Sequence, residues 1–423
     1  EFLRGGEIRR GDLCEAEKLV AHGLGRIAAQ HGAGTVAVFV SPELTSEELY
    51  LASRIAREGL GTNNVASLSI LGTGTEAGAL DESFGFTAST ADRSAIDRAD
   101  LIICNNTSLE SDHLILAARV IESVRKGAKL VVSNSTLDTT DEVLSTLSLD
   151  PMRGRAAILW NGVIQMLMDE GVFKSAAVKK TEGAKEFLKN RDFPLDRAAA
   201  LTGIAEEKIR AAADLVKEAR RIVVIHSPDR VQDQAPGDME TFANLAILLR
   251  AAGREADILL PRLHANSAAL ELMGADPVFG PGRVPHPAGV VGAKSREELR
   301  GLLAAGEIKG ALIIGEDPMA WGTTGEWFRN IEFLAALDWT GTETTQYADV
   351  VLPGSTFLET PGTRCNFEGT VVSYARAMAP PAGACGRDIL AGLAAELAVE
   401  APKDVTAASG SLVKSALGDL ARF

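Results

Sequence analysis

Residues 348 to 369, with the sequence ADVVLPGSTFLETPGTRCNFEG, decide the fold of this chain. The stretch begins with a short apolar and β-branched run, Val350 to Leu352, which ends at Pro353 and Gly354. Such a run bounded by turn residues is typical of a buried strand. In the polar loop that follows, Glu359 and Asn366 have side chains able to bond backbone amides. The stretch therefore predicts a buried strand that leads into an ordered loop.

The succession of an apolar run, a turn-rich loop and an amphipathic helix is repeated along the chain. The strands are spaced too widely for hairpins, so this pattern predicts an α/β fold with parallel sheets and right-handed crossovers. The predicted strands are Thr35 to Val40, Leu101 to Cys104, Leu130 to Val132, Ala157 to Trp160, Ile222 to Ile225, Ala256 to Leu260, Ala311 to Ile314, Phe333 to Leu337 and Val350 to Leu352. The predicted helices are Glu15 to Gln30, Ser46 to Glu58, His113 to Lys126, Glu206 to Ala219, Phe242 to Ala252 and Ile389 to Ala398.

Length and charge limit the class of protein further. The 423 residues suit two α/β domains of about 150 to 250 residues each. The formal net charge of -14 disfavours nucleic acid and anionic membranes as partners, because either would be repelled. No run of about 20 apolar residues and no signal peptide is present, so we expect a cytoplasmic protein without direct membrane insertion. The first residue is Glu1, and we expect further residues upstream.

The cysteines and histidines do not predict a metal site. All four cysteines are isolated, and no Cys-x-x-Cys pair occurs. Neither an iron–sulfur cluster nor a structural zinc is therefore expected in this chain. We also find no GxSxG, HExxH, GxxxxGK[ST] or GxGxxG motif.

Small hydrogen-bonding residues gather where several predicted strands end. These loops are SPELTSEE from Ser41, NNTSLES from Asn105, SNSTLD from Ser133, HSPDR from His226 and GEDP from Gly315. Two interpretations are open: open α/β sheets bind ligands at this edge, and the same residue types cap helices. The first loop predicts a cap, with Thr45 or Ser46 at the N-cap and Glu47 or Glu48 in the first turn.

Several sequence blocks, in a fixed order, resemble the molybdopterin oxidoreductases. The ending Asn366 to Gly369 is most similar to the large iron–sulfur subunit of NADH-quinone oxidoreductase, respiratory complex I. The other blocks are Ser41-Pro42 with Thr45, Glu47, Glu48 and Tyr50, then Gly61-Thr62-Asn63-Asn64, Lys126 to Val132, Leu201 to Ile204, Gly315-Glu316-Asp317-Pro318 and Ala348 to Pro353.

The resemblance implies two doubly wound parallel-sheet domains, of the type of domains II and III of formate dehydrogenase. Residues 1–65 and 306–401 are expected to form a discontinuous first domain. Residues 66–305 are expected to form an inserted second domain, and residues 402–423 a C-terminal helix. The strand from Ala311 should then lie in the same sheet as the strand from Thr35.

The resemblance also implies a residual pterin-dinucleotide cleft. Formate dehydrogenase relatives have a Cys or selenocysteine that binds molybdenum or tungsten in the loop from Ala66 to Gly74, where this chain has Ser69. Ser69 as an oxygen ligand and Ser69 as a partner of local backbone groups both stay open. The candidate cofactor-binding residues are Ser69, Asn106, Asn134, Gly315, Glu316, Asp317, Asp349 and Asn366.

Some of these positions depart from the family pattern. Asn134 replaces the Asp of the family's Asp-Pro-Arg loop, and Asn cannot accept two hydrogen bonds from guanine in the geometry of a carboxylate. Cys104 and Thr107 replace the Gly and Pro of a Gly-x-Asn-Pro loop. Glu316 and Asp317 equally suit the first turn of a helix.

These departures predict a chain without a catalytic or metal-ligating residue and without a cofactor. On this interpretation the chain is a scaffold in an NADH-linked electron-transport complex. Its partners are other subunits, with iron–sulfur clusters allowed upstream of Glu1. One alternative is a molybdenum or tungsten oxidoreductase of the formate dehydrogenase type, which binds molybdopterin guanine dinucleotide. Another is a cofactor-free interaction module.

Overall fold

A computed structural model describes residues 2–4, 7–70, 80, 83–85, 88–134, 143–189, 193–227, 237–284, 289–320 and 322–417. Residues 71–74, 135–138 and 228–230 of the predicted loops lie outside these ranges. The strands are β1 (Phe2–Arg4), β2 (Glu7–Arg9), β3 (Val36–Val40), β4 (Val65–Ala66), β5 (Leu101–Asn105), β6 (Lys129–Ser133), β7 (Leu147–Leu149), β8 (Arg221–His226), β9 (Glu255–Leu259), β10 (Gly310–Ile314), β11 (Phe333–Asp338), β12 (Val350–Pro353), β13 (Gly362–Cys365) and β14 (Val371–Tyr374). The helices are α1 (Leu13–His31), α2 (Ser46–Arg54), α3 (Ser94–Arg98), α4 (Leu109–Asp112), α5 (Leu114–Arg125), α6 (Ala156–Asp169), α7 (Ala176–Lys180), α8 (Ala184–Lys189), α9 (Leu195–Thr202), α10 (Glu206–Glu218), α11 (Asp238–Ala251), α12 (Ser267–Leu272), α13 (Arg296–Ala304), α14 (Glu343–Tyr347), α15 (Gly386–Glu396) and α16 (Val405–Leu417).

The chain divides into two compact units. The first unit comprises Glu1–Gly74, His264–Asn366 and Thr370–Asp419, and the second comprises Thr75–Leu263, Phe367–Gly369 and Leu420–Phe423. Residues 264–305, which we assigned to the inserted domain, therefore lie in the first unit. The physical reason is hydrogen bonding to the first unit. Asn63 Nδ2 donates to the carbonyl of Pro277 at 2.9 Å, and Thr62 forms an isolated parallel β-bridge with Val291.

The first unit contains a sheet with the strand order β2-β1-β12-β11-β10-β3-β4. The five strands from β12 to the edge strand β4 are parallel, and β10 pairs with β3. The prediction that the strands from Thr35 and Ala311 lie in one sheet is confirmed. Phe39 and Ile313 pack on one face with Leu303 of α13. Helix α1 covers the other face, where a Cβ on Gly23 would lie 2.3 Å from the Phe333 ring, so this contact requires glycine.

The second unit contains an all-parallel sheet with the order β7-β6-β5-β8-β9. Successive residues of a strand point to opposite faces of the sheet. Ile103 packs on one face with Trp160 of α6, and Ile102 packs on the other with Val120 of α5. Helices therefore cover both faces, and the predicted α/β class with doubly wound parallel sheets is confirmed.

One predicted strand is wrong. Ala157 to Trp160 lie inside α6, whose buried residues include Leu159, Val163 and Leu167. This spacing has the period of a helix, which a window of four residues could not reveal. The capping prediction for α2 is confirmed, since Thr45 is the N-cap and forms a capping box with Glu48. None of the helices in the described ranges is both long and apolar enough to span a membrane.

Candidate functional site

The carboxyl end of β10 positions Glu316 in the first unit. Gly315 has a φ of 68°, a conformation that favours glycine, and turns the chain directly after the strand. The buried carboxylate of Glu316 accepts from Ser67 Oγ at 2.6 Å, from the Leu68 amide at 3.0 Å and from the Ser69 amide at 3.5 Å. Glu316 thus holds the turn that contains Ser69.

Burial raises the pKa of Glu316 to about 7, although the hydrogen bonds from Ser67, Leu68 and Ser69 act in the opposite direction. The Ser69 hydroxyl lies 2.7 Å from the Ser67 hydroxyl. With an ionised Glu316 the Ser67 hydroxyl must donate to the carboxylate, so Ser69 donates to Ser67. The Ser69 oxygen then keeps its acceptor lone pairs for another group.

Three further candidate residues bond the backbone around them. Asp317 accepts from the Thr344 amide at 2.8 Å and caps α14. Asp349 accepts from the Leu334 amide at 2.9 Å. Asn366 Oδ1 accepts from the Thr370 amide at 2.9 Å, within the turn between β13 and β14. Glu359 likewise ties its loop to a backbone amide, that of Thr356 at 2.8 Å, as predicted.

A cavity of about 780 Å³ opens in the first unit at the carboxyl ends of β11 and β12. Asp338, Trp339 and Gln346 are among its lining residues, with Arg10, which precedes α1. Trp339 is 63% exposed, and burial raises the pKa of Asp338. We did not predict these residues, but the sequence carries a signal. The stretch Asp338 to Thr345 follows a strand and, like the other strand ends, carries small hydrogen-bonding residues.

The second unit gathers polar residues at the carboxyl ends of three adjacent strands. Asn105 at the end of β5 is paired in register with Ser133 of β6 and His226 of β8. The next residues, Asn106 and Ser227, are also buried. Asn106 has a φ of 49°, which Asn tolerates better than most residues. The sheet therefore brings the predicted Asn106 into one group with polar residues of three loops.

Asn134 has a definite role in this group. Its Oδ1 accepts from the Thr107 amide at 3.1 Å, and its Nδ2 donates to the Thr107 carbonyl at 2.9 Å. A carboxylate could not make the second bond, because it has no donor. Asn in place of the family's Asp therefore joins the loops after β5 and β6.

Two buried acceptor groups in this cluster have no hydrogen-bond partner within the described part of the chain. Asn105 Nδ2 lies 3.0 Å from His226 Nδ1, while Asn105 Oδ1 has none. The Ser227 amide donates to Thr107 Oγ1 at 2.8 Å, while its own hydroxyl has none. A buried unpaired polar atom is costly, so such atoms favour a bound ligand or water.

The described ranges contain no group of three or more His, Cys, Asp or Glu residues that could hold a metal ion. All four cysteines are free thiols. Burial raises the pKa of Cys365 to about 12, which disfavours its thiolate form.

The family model described as molybdopterin oxidoreductase matches residues 14–389, and the chain belongs to this family. It is 28% identical to the NADPH-Fe(3+) oxidoreductase subunit alpha of Geobacter sulfurreducens over 395 residues, which cover 88% of this chain and 46% of that protein. It is also 27% identical to formate dehydrogenase H of Escherichia coli, over 85% of this chain and 54% of that protein. The chain spans about half the length of these relatives.

Solved structures agree on the fold. Acetylene hydratase from Pelobacter acetylenicus superposes with a TM-score of 0.71 at 20% identity, over 93% of this chain and 59% of that one. A chain of the formyltransferase/hydrolase complex from Methylorubrum extorquens gives a TM-score of 0.62 at 18% identity, over 94% of this chain and 98% of that one.

These comparisons confirm the predicted family and its fold. They support formate dehydrogenases and NADPH-Fe(3+) oxidoreductase as relatives, and not the complex I branch specifically. The expectation that this chain has no cofactor is wrong, because the family model and the formate dehydrogenase relatives point to a molybdopterin cofactor.

Proposed function

We propose that this chain is the cofactor-binding part of the alpha subunit of a molybdopterin oxidoreductase of the formate dehydrogenase type. Family membership over residues 14–389 supports a molybdopterin cofactor. Formate dehydrogenases from Escherichia coli and Bacillus subtilis among the relatives support the reaction class. A molybdenum or tungsten oxidoreductase of the formate dehydrogenase type, which the sequence analysis gave as an alternative, is thus better supported than a scaffold in an NADH-linked complex.

The observation that carries the proposal is the pair of buried acceptors, Asn105 Oδ1 and Ser227 Oγ, at adjacent strand ends of the second unit. Pterin and guanine rings carry amide and amino N–H groups, which need acceptors of this kind. A ligand that donates a hydrogen bond to the Asn105 oxygen should bind more tightly than one that does not. Leaving a buried oxygen unpaired costs about 1 to 3 kcal/mol. The residues present therefore fit the polar edge of a pterin dinucleotide.

The cavity of the first unit also fits such a group. Its volume of about 780 Å³ lies in the range of ligand pockets, about 300 to 1,000 Å³. The exposed face of Trp339 can stack on a bicyclic ring, and Asp338 and Gln346 can bond ring N–H groups. Arg10 adds a positive charge suited to a phosphate.

The turn held by Glu316 lies in the loop in which relatives carry the residue that binds the metal. When bound, the cofactor supplies two-electron redox chemistry at its metal. Glu316 fixes the backbone of Leu68 and Ser69, and its carboxyl can hold a proton near neutral pH. We infer that Glu316 is a positioning residue that also stores a proton.

A second candidate is the alpha subunit of an NAD(P)H-linked complex. The observation that favours it is the likeness to the NADPH-Fe(3+) oxidoreductase subunit alpha. On this proposal other subunits handle the nicotinamide cofactor, and this chain still binds the pterin. Reduction of the purified complex by NADPH, against reduction by formate, distinguishes the two candidates.

The test is cofactor analysis of the chain produced in a host that makes molybdopterin. We expect a pterin, released as its fluorescent oxidised form, together with guanine nucleotide and with molybdenum or tungsten. Asn105→Leu should lower the pterin content about tenfold, as expected for loss of one to two buried hydrogen bonds. Glu207→Leu, which replaces an exposed side chain of α10 in the same unit, should leave it unchanged.

Trp339→Ala tests the cavity in the same way, with Tyr347→Ala as the control aromatic of the first unit that does not line it. No pterin in the unaltered chain would overturn the proposed function. Pterin that is retained in Asn105→Leu and Trp339→Ala would overturn the placement of the cofactor while leaving its binding intact.

A further inference from the structure

His226 is the last residue of β8 and is fully buried. It is paired in register with Asn105, the last residue of β5. The centroid of its ring lies 5.9 Å from that of Phe242 in α11, and the centroid of Phe242 lies 5.4 Å from that of Trp160 in α6. Because protein interiors are closely packed, these aromatic neighbours leave the imidazole little room to turn. Packing therefore fixes where the ring nitrogens of His226 lie.

This imidazole orients the side chain of Asn105. Asn105 Nδ2 lies 3.0 Å from His226 Nδ1. An amide nitrogen only donates hydrogen bonds, so Nδ1 carries no proton and accepts this one. The amide oxygen of Asn105 is then left for another group, and it has no partner within the described part of the chain.

The opposite orientation of the amide would offer the opposite chemistry to a ligand. If His226 Nδ1 carried a proton, the oxygen of Asn105 would accept from it, and the two N–H donors of Nδ2 would face the ligand instead. Among the described residues, His226 is the only hydrogen-bond partner of the Asn105 side chain. The imidazole therefore decides whether this buried position binds a donor or an acceptor.

Thr107 holds the backbone around this pair. Its hydroxyl donates to the Asn105 carbonyl at 2.9 Å and accepts from the Ser227 amide at 2.8 Å. This bridge keeps the ends of β5 and β8 together, and with them Asn105 and His226. The buried hydroxyl of Ser227 can donate or accept, so it does not discriminate between ligands. Selectivity thus depends on the orientation of Asn105.

We propose that His226 is a positioning residue that makes this site selective for the 2-amino-4-oxopyrimidine edge, which pterin and guanine share. That edge has an amino group and a ring N–H side by side, and both donate hydrogen bonds. An edge with an oxygen in place of the amino group would set two acceptors against each other at Asn105 Oδ1. The inference rests on the proposed function, because it takes the ligand to be a pterin dinucleotide and adds what selects it.

The experiment measures ligand selectivity in the full chain, produced in a host that does not make molybdopterin. The probes form two matched pairs. Lumazine has an oxygen where pterin has its amino group, and IMP has a hydrogen where GMP has one. In calorimetric titration, pterin or GMP should bind about tenfold or more tightly than its counterpart, as expected for one buried hydrogen bond. The pair that shows this preference identifies the end of the dinucleotide that occupies the site.

Equal binding within both pairs overturns the inference, and so does the absence of binding by all four compounds. The proposed function fails by a different result, which is the absence of pterin from the chain made in a host that produces molybdopterin. The two failures are therefore distinguishable.

His226→Leu and His226→Asn are the matched variants. Leucine has no acceptor, so the Asn105 amide can take either orientation, and the preference should fall to about twofold or less. Asparagine places an oxygen as many bonds from Cβ as Nδ1 is, and it should retain a preference of about fivefold or more. A full preference in His226→Leu overturns the role of His226, because a merely structural residue would change affinity without changing selectivity.

A measurement on the unaltered chain needs no substitution. The ¹⁵N NMR signals of the His226 ring distinguish a protonated from an unprotonated Nδ1. We expect Nδ1 to carry no proton. A proton on Nδ1 overturns the inference, because Asn105 would then present its N–H groups to the ligand.

Discussion

Replacement of Glu316 by Gln should change how the stability of the first unit depends on pH. Burial raises the pKa of this carboxyl from 4.5 to about 7. Between these values the folded chain keeps a proton that the unfolded chain releases, so the free energy of unfolding falls as pH rises through this window. Below it both states are protonated, and above it both are ionised. Gln does not titrate, so the variant should lack this part of the slope.

The magnitude follows from the two pKa values. They differ by about 2.5, and a pKa difference of one corresponds to about 1.36 kcal/mol. Glu316 should therefore account for a fall of about 3 kcal/mol in the free energy of unfolding between about pH 4 and pH 8. The amide also loses part of the hydrogen bonding to Ser67, Leu68 and Ser69, which should cost about 1 kcal/mol at low pH.

The assay is hydrogen exchange of the peptide that covers β10, in denaturant series across this pH range, because it isolates the first unit from the second. Glu307→Gln is the control, since Glu307 is an exposed carboxylate of the same unit. We expect the control to follow the unaltered chain and Glu316→Gln to gain relative stability toward pH 8. If the free energy of unfolding depends on pH in the same way in all three proteins, burial does not raise the pKa of Glu316.

Three further substitutions test other contacts. Asn134→Asp should destabilise the second unit by about 2 kcal/mol, because the carboxylate cannot donate to the Thr107 carbonyl, and urea unfolding would measure this. Glu359→Ala should cost about 1 kcal/mol and speed exchange of the Thr356 amide, whereas an unchanged amide would contradict the observed bond. Arg57→Leu should cost about 3 kcal/mol or more, because the buried guanidinium donates to three backbone carbonyls that would lose their partner, and a small loss in thermal unfolding would refute this.

The sequence predicted the long elements well, because their periodicities extend over several turns or a full buried strand. Thr45 could be placed at the start of α2, since its capping box is a local signal. Ala157 to Trp160 were wrongly assigned to a strand, because a run of four apolar residues fits the period of a strand and that of a helix. The short strands β1 and β4 were missed, because their pairing depends on distant parts of the chain. The short hairpin of β13 and β14 was missed too, although its pairing is local.

The candidate site was predicted in part. Family blocks led to Glu316 and Ser69, which the structure places in contact. Other residues depend on register between strands: Asn105 meets His226 only because β5 and β8 are neighbours. Trp339 was missed although the loop around it has hydrogen-bonding residues like those of the other strand ends, because the role of an exposed aromatic cannot be recognised without the cavity beside it. The partnership of Asn134 with Thr107 also required three-dimensional geometry.

Strands β3 and β10 are neighbours in the sheet but far apart in the sequence, and this separation matters during synthesis on the ribosome. Between Val40 and Gly310 lie roughly 270 residues, which take about 15 to 50 seconds to translate at typical rates. During that time the second unit can complete its sheet, because its strands β5 to β9 are already made. Strand β3, which is fully apolar, and helix α1 are made long before β10, the strand on which they pack. We therefore expect the nascent first unit, and not the second, to need chaperone protection until β10 emerges.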